Sequence, residues 1–165
     1  EDLYTIPFGQ ARVCKPGDDI TVVGVSNMVM ECLRAAELAA GVGISAEVID
    51  PISLVPLDID SIVESARRTG RLLVVDNAWT MCGASAEIVA AVAERQQPGE
   101  SIQVSRMGFA PTTCPTTPSL EQAFYPNPVM ISSKIHELVR PDAPDWAPDA
   151  AEAELAYQIQ FRGPF

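Results

Sequence analysis

The chain has 165 residues, 47% of them hydrophobic, a length that suits one domain burying roughly two-thirds of its unfolded surface without staples. Its formal charge of −11 excludes a role built on attraction to phosphate backbones, since nucleic acid is held by Lys and Arg. No apolar run approaches the ~20 residues of a membrane span and Glu1 to Gln10 carries no charged-then-apolar leader, so a soluble, cytoplasmic protein is expected.

Residues 1–17 hold Pro7, Gly9, Pro16 and Gly17 with little periodicity and read as an N-terminal linker segment, within which Ala11-Arg12-Val13 has the character of an edge strand. The folded domain is expected over residues 18–140. Ile20 to Val25 is rich in β-branched residues, and either Ser26 or Asn27 can cap an apolar helix from about Met28 to Ala40, stopped by Gly41 and Gly43. The most informative stretch follows, from Ile44 to Asp58. Ala46 to Ile49 reads as a strand, then Pro56-Leu57-Asp58 stops extension and offers Asp58 as N-cap of a helix reaching Thr69. Ile59, Ile62, Val63 and Ala66 share one face of that helix, and Gly70 closes it.

Arg71 to Asp76 is an almost continuous apolar run, the pattern of a strand covered on both faces, and is expected to be the central strand of a parallel sheet. Asn77 to Gly83 forms a loop, and Ala84 to Arg95 a helix with Ile88, Val89, Ala91 and Val92 as its stripe. Pro98-Gly99 breaks the chain before a strand at Ser101 to Arg106. Strands alternating with helices argue for the α/β class, as a three-layer α/β/α sandwich around a mostly parallel five-stranded sheet. Beyond Gly108, Pro111, Pro115, Pro118, Pro126 and Pro128 leave room for short helices only, at Ser119 to Phe124 and at Val129 to Val139, the latter packing back on the sheet. Residues 141–165 read as an acidic, Pro-rich tail, irregular at first, with a short helix over Ala151 to Gln160.

Motifs that carry chemistry are sparse. There is no Gly-x-Gly-x-x-Gly, no phosphate-binding Gly-Lys-Ser/Thr loop, no Gly-x-Ser-x-Gly elbow and no His-Glu-x-x-His. His136 reads as a surface or helix-packing histidine, Asp18-Asp19 as a turn, and Asp58 with Asp60 as a helix N-terminus. The four cysteines lie far apart without a Cys-x-x-Cys pair, so no metal site is expected; Cys14 and Cys32 fall in apolar segments, Cys82 and Cys114 in loops. The segment Asp76 to Gly83 follows the carboxyl end of the presumed central strand, where open α/β sheets bind ligands. Trp79 there fits an interface anchor or a lid over the core equally well. Asn77, Trp79 and Glu87 are the candidate interface residues, and no catalytic, cofactor-binding or metal-ligating residue is assigned.

One ordered set of words carries a family likeness: Tyr4-x-x-Pro7-x-Gly9-x-Ala11, Ala46-Glu47-Val48-Ile49-Asp50, Pro56-Leu57-Asp58, Thr69-Gly70-Arg71-Leu72-Leu73-Val74-Val75, and Gly83-x-x-x-Glu87-Ile88. It resembles the transketolase C-terminal domain, in the form found in β subunits of thiamine-dependent 2-oxo acid dehydrogenases of the pyruvate, branched-chain and acetoin types. The likeness runs from Tyr4 to Val139. It departs from that pattern at Ile52, where an Arg is usual, at Asn77, where an acidic residue is usual, in the Thr-rich stretch Thr112 to Thr117, and in the tail.

The resemblance implies a non-catalytic organising domain that dimerises and docks partners. Thiamine diphosphate and its divalent cation would sit in the parent enzyme and not in this chain. The implied partners are a pyrimidine-binding domain and an α-type subunit of the parent, a second copy in a homo-oligomer, and a basic docking domain of an acyltransferase, with which an acidic surface agrees. Two other readings stand beside it. One is the C-terminal domain of a transketolase-like or 1-deoxyxylulose-phosphate-synthase-like enzyme; the other is a stand-alone flavodoxin-like module that binds nucleotide or flavin.

Overall fold

The structure is a computed structural model and describes residues 5–158. Tyr4 of the N-terminal motif, and Ile159 and Gln160 of the expected tail helix, lie outside the described residues. Strands β1 (Arg12–Lys15), β2 (Ile20–Gly24), β3 (Ala46–Asp50), β4 (Arg71–Val75) and β5 (Gln103–Met107) form one sheet in the order β1-β3-β2-β4-β5. The last four run parallel, whereas β1 pairs antiparallel with β3 through a bulge between Val13 and Lys15. Helices α1 (Met28–Gly41), α2 (Ile59–Thr69) and α3 (Ala84–Glu94) make the crossovers, and α4 (Pro118–Phe124), α5 (Pro128–Val139) and α6 (Ala150–Gln158) follow the sheet.

Strand alternation sorts the core into two halves. Ile20 and Val22 of β2 with Leu73 and Val75 of β4 face α1 and α5, meeting Cys32, Ala36, Ile131 and Ile135. Val23, Leu72 and Val74 face the other way, onto Ile62 and Ala66 of α2 and Ile88 and Val92 of α3. The three-layer arrangement is therefore as expected. The central strand is not: β2 holds that place and β4 lies between β2 and β5. Both strands are buried on both faces, but Thr21 interrupts the apolar run of β2, its hydroxyl bonding Ser65 at 2.6 Å and Thr69 at 2.8 Å inside the core. An apolar run marks coverage on two faces, not position in the sheet.

The βα unit after β3 is set by local chemistry. Asp58 Oδ1 accepts from Ser61 N at 3.2 Å at the start of α2, and Gly70, at φ 71°, ends it in the left-handed conformation. In α1, by contrast, Asn27 occupies the N-cap position without a side-chain capping bond, and the helix runs through Gly41 before Gly43 turns the chain at φ 75°. The tail folds back irregularly after α5, setting the Trp146 ring 5.4 Å from that of His136, and α6 packs on α5. His136 is buried there as a packing residue. Among the described residues no helix is long and apolar enough to cross a membrane.

Candidate functional site

Because β2 to β5 are parallel, their carboxyl ends share one edge of the sheet. Strand order reverses there between β2 and β4, since α1 after β2 and α3 after β4 lie on opposite faces; such a switch point is where open α/β sheets bind ligands. Here it is bridged. Val25 N donates to Val75 O at 2.9 Å, and Asn77 Nδ2 donates to Asn27 Oδ1 at 2.8 Å across the gap. Asp76, buried, is a strut: its N donates to Met107 O, and its Oδ2 accepts from Ser85 N at 3.1 Å at the start of α3, where negative charge suits the helix dipole.

The loop from Asn77 to Gly83 is held from several sides. Ala78 O accepts from Phe109 N at 2.9 Å and Thr80 O from Arg106 Nη1 at 2.6 Å. Trp79 sets its edge on Phe109 and Phe124, with centroids at 5.7 and 5.8 Å, and those two rings stack at 4.9 Å. A Cβ on Gly83 would lie 2.2 Å from Trp79 O, and one on Gly108 2.4 Å from Ala78 O, so only glycine lets these backbones touch. Pinned in this way, the loop still shows 44% of Trp79 and 81% of Met81 to solvent. Trp79 thus packs against its own rings and presents a free face together.

Strain gathers at the same edge. Among the described residues, the non-glycine residues at positive φ are Ser26 after β2, Ile52 after β3 and Cys82 in the loop after β4, all near 60°. For β-branched Ile52 that conformation costs roughly 1–2 kcal/mol. Ile52, Leu54 and Val55 are exposed in the β3–α2 loop. The N-terminal segment is clasped to that loop: Gly9 N donates to Ser53 Oγ at 3.2 Å and Ala11 N to Asp58 Oδ2 at 2.8 Å, leaving Phe8 exposed beside it.

The chemistry available at this edge is binding more than proton transfer. No charged residue occurs from Asn77 to Ala86 or from Met107 to Leu120. Glu87 stands exposed in the first turn of α3, and Asp76 is engaged as a strut. Burial pushes the thiols of Cys14 and Cys32 above the usual range, leaving them poor nucleophiles. Cys82 and Cys114 are exposed, and Cys114 Sγ lies 3.5 Å from the Tyr125 hydroxyl. Among the described residues no group of three or more His, Cys, Asp or Glu comes together that could hold a metal ion. Of the candidates from sequence, Asn77 and Trp79 meet at this edge, while Glu87 lies beyond Gly83 on α3. Phe109, Phe124, Met81 and Ile52 were not anticipated as parts of the site; the uncharged stretches are a signal that could have found Met81 and Phe109, which lie in them, but not Phe124 or Ile52.

Fold and edge define a doubly wound α/β domain with one antiparallel border strand and an apolar carboxyl edge. The sequence model of the transketolase C-terminal domain matches residues 9–131, and the chain belongs to that family. It is 38% identical over 139 residues to the β subunit of acetoin:2,6-dichlorophenolindophenol oxidoreductase of Bacillus subtilis, covering 84% of this chain and 41% of that one. The β subunit of the pyruvate dehydrogenase E1 component of Staphylococcus aureus is also 38% identical, over 137 residues, covering 83% of this chain and 42% of the relative. The chain thus spans about two-fifths of the length of these relatives. Among solved structures, a split-gene transketolase in an inactive β4 tetramer superposes with a TM-score of 0.74 at 25% identity, covering 82% of this chain and 44% of that one.

Proposed function

We propose that this chain is the organising domain of a β-type subunit of a thiamine-diphosphate-dependent 2-oxo acid dehydrogenase, holding subunits together and docking a partner while the chemistry proceeds elsewhere. The observation that carries the reading is the carboxyl edge itself. Where a doubly wound sheet would receive a ligand, an amide–amide bond bridges the switch point and a rigid, uncharged, apolar loop faces outward. Likeness to the β subunits of two oxidoreductases supports the parent class.

The donor set at the edge does not fit thiamine diphosphate. A diphosphate and its cation ask for converging cations or free N–H groups and for carboxylates, yet the loops nearest the switch point are uncharged and Asp76 is spent on α3. The cofactor and its divalent cation belong in this reading to the pyrimidine-binding domain and the α-type subunit of the parent. Residues 18–140 form the body of the organising domain, residues 1–17 lead into it and lend its sheet the border strand β1, and residues 141–165 are an acidic tail whose exposed Asp142, Asp145 and Asp149 suit a basic docking domain of an acyltransferase. A transketolase-like parent acting on sugar phosphates is the second reading, favoured by the superposition on a split-gene transketolase.

The test is reconstitution. Combining the chain with the missing domains and an α-type subunit should restore thiamine-dependent decarboxylation of a 2-oxo acid. Calorimetry on the chain alone is the counterpart: saturable binding of thiamine diphosphate, flavin or a nucleotide there would defeat the organising reading. Turnover of a sugar phosphate by the reconstituted assembly would select the transketolase-like parent.

A further inference from the structure

A cleft of about 500 Å³ opens between α5 and the tail that folds back beside it, within the roughly 300–1,000 Å³ of small-molecule sites. No residue of the Asn77 to Gly83 loop lines it. Because α5 forms one long wall, the two ends of the cleft differ in character. Met107, Val129 and Met130 make one end apolar, and Trp146 and His136, with rings 5.4 Å apart, stand between the ends. The other end is charged. Lys134 Nζ meets Glu137 Oε2 at 2.5 Å, so these two cancel. Arg140 and Asp145 are left over: Arg140 Nη2 donates to Val42 O at 2.7 Å but meets no carboxylate among the described residues, and Asp145 meets no cation among them.

We propose that this cleft binds a small zwitterion with an aromatic body, of which an aromatic α-amino acid is the simplest form. Its carboxylate goes to Arg140, its ammonium to Asp145, and its ring to the apolar end beside Trp146. Three considerations select that class. One uncompensated cation and one uncompensated anion on the walls of a single cavity call for a ligand carrying both charges; a plain anion would also face Asp145 and Glu137, and a plain cation Arg140 and Lys134. The planar fork of a guanidinium matches a carboxylate and is less well served by the single carbonyl it holds now. At the far end two thioethers, with Trp146 beside them, favour a flat ring over a branched aliphatic chain, through sulfur–ring and ring–ring contacts. His136, Arg140, Asp145 and Trp146 all lie beyond residues 9–131, the span that matches the family, so the cleft owes its recognition groups to the end of α5 and the tail. A bound zwitterion would tie the tail to α5 and leave Asp142 and Asp149 for a docked partner. The proposal does not rest on the organising role.

The experiment is equilibrium dialysis of the whole chain against labelled L-phenylalanine, with 3-phenylpropionate as the analogue lacking the ammonium and phenethylamine as the analogue lacking the carboxylate. One saturable site per chain is expected for L-phenylalanine, and each analogue should bind about tenfold more weakly or worse, the loss of one charge-assisted hydrogen bond. Arg140→Gln should weaken L-phenylalanine and 3-phenylpropionate by about that factor and spare phenethylamine. Asp145→Asn should weaken L-phenylalanine and phenethylamine and spare 3-phenylpropionate. Asp145 is exposed, so its substitution leaves the fold as it is and keeps the test open even where Arg140→Gln loosens the contact with Val42. No saturable uptake of L-phenylalanine up to about 10 mM, equal uptake of all three compounds, or indifference of L-phenylalanine binding to Asp145→Asn would overturn the assignment. L-leucine bound as tightly as L-phenylalanine would overturn the aromatic body. Reconstituted decarboxylation is read separately, so failure of either proposal leaves the other standing.

Discussion

Asp58 offers a sharp test of how the N-terminal segment is tied to the sheet. Its Oδ2 accepts from Ala11 N and from Ser61 Oγ, both at 2.8 Å, and its Oδ1 accepts from Ser61 N at 3.2 Å, so one carboxylate caps α2 and clasps the chain ahead of β1. Asp58→Ala removes a cap worth about 1 kcal/mol and a charge-assisted bond to a part-buried amide worth about 1.5–3 kcal/mol. Allowing for the partial exposure of the site, a loss of about 2–3 kcal/mol is expected. For a chain of this length that corresponds to about 5–10 °C in Tm. The pH dependence has a definite sign. Partial burial alone would raise the Asp58 pKa, but the bonds from Ala11 and Ser61 outweigh it and hold the pKa below the ordinary carboxylate value. A depressed folded pKa gives stability that is full above the unfolded value of about 3.9 and is lost as pH falls through the folded one. Thermal melts followed by circular dichroism at neutral pH and near pH 3 should therefore show a gap between wild type and Asp58→Ala that closes on acidification, and the Ala11 amide should exchange faster in the variant. A neutral-pH gap under about 1 °C, or one of the same size at both pH values, would refute the clasp.

Glu31 is the opposite case: one oxygen meets Arg34 at 2.6 Å, Oε2 is buried without a partner, and burial pushes its pKa up against the pull of Arg34. A raised folded pKa gives stability that is full below the unfolded value and lost as pH rises through the folded one, so the Glu31→Gln minus wild-type difference in urea midpoint should grow from about pH 4 to 7; a flat difference would count against burial as the cause. Ile52→Asn puts a side chain tolerant of left-handed backbone at φ 60° and should raise Tm by about 2–4 °C in calorimetry, whereas a lower Tm would show that packing of the isoleucine outweighs strain. Gly83→Ala forces a Cβ toward Trp79 O from an initial 2.2 Å and should cost about 1–3 kcal/mol while changing the near-ultraviolet dichroism of the tryptophans; an unchanged spectrum would mean the loop is less tightly held than its bonds suggest.

What could be read from sequence was whatever is fixed by neighbours in the chain. Asp58 and Gly70 bound α2 by bonds and dihedrals reaching no further than a helical turn, and both ends were legible. The apolar runs of β2, β3 and β4 announced burial, and the alternation of elements announced the parallel sheet. Sheet order was not legible in the same way, because the hydroxyl of Thr21 is satisfied only by Ser65 and Thr69 on α2, partners more than forty residues away, and without them the residue looks like a break in the core strand.

The cap of α1 failed for a related reason that leads back to the site. Asn27 has the side chain a helix start calls for, and by sequence alone nothing competes for its oxygen. In the fold Asn27 itself stands in the helical region, at φ −63° and ψ −15°, not in the extended conformation of a capping residue, and its oxygen accepts from Asn77 at the end of β4 at 2.8 Å, closing the switch point. The same logic holds for the loop that follows. Trp79 is visible in the sequence, but its rigidity comes from Arg106, Gly108, Phe109 and Phe124, which only the arrival of β5 and α4 beside it supplies. Residues that fold a helix locally leave local traces; residues that pin an exposed loop are recruited across the sheet, and here the absence of charge in two separate stretches, which hold Trp79, Gly108 and Phe109, is the trace in the sequence.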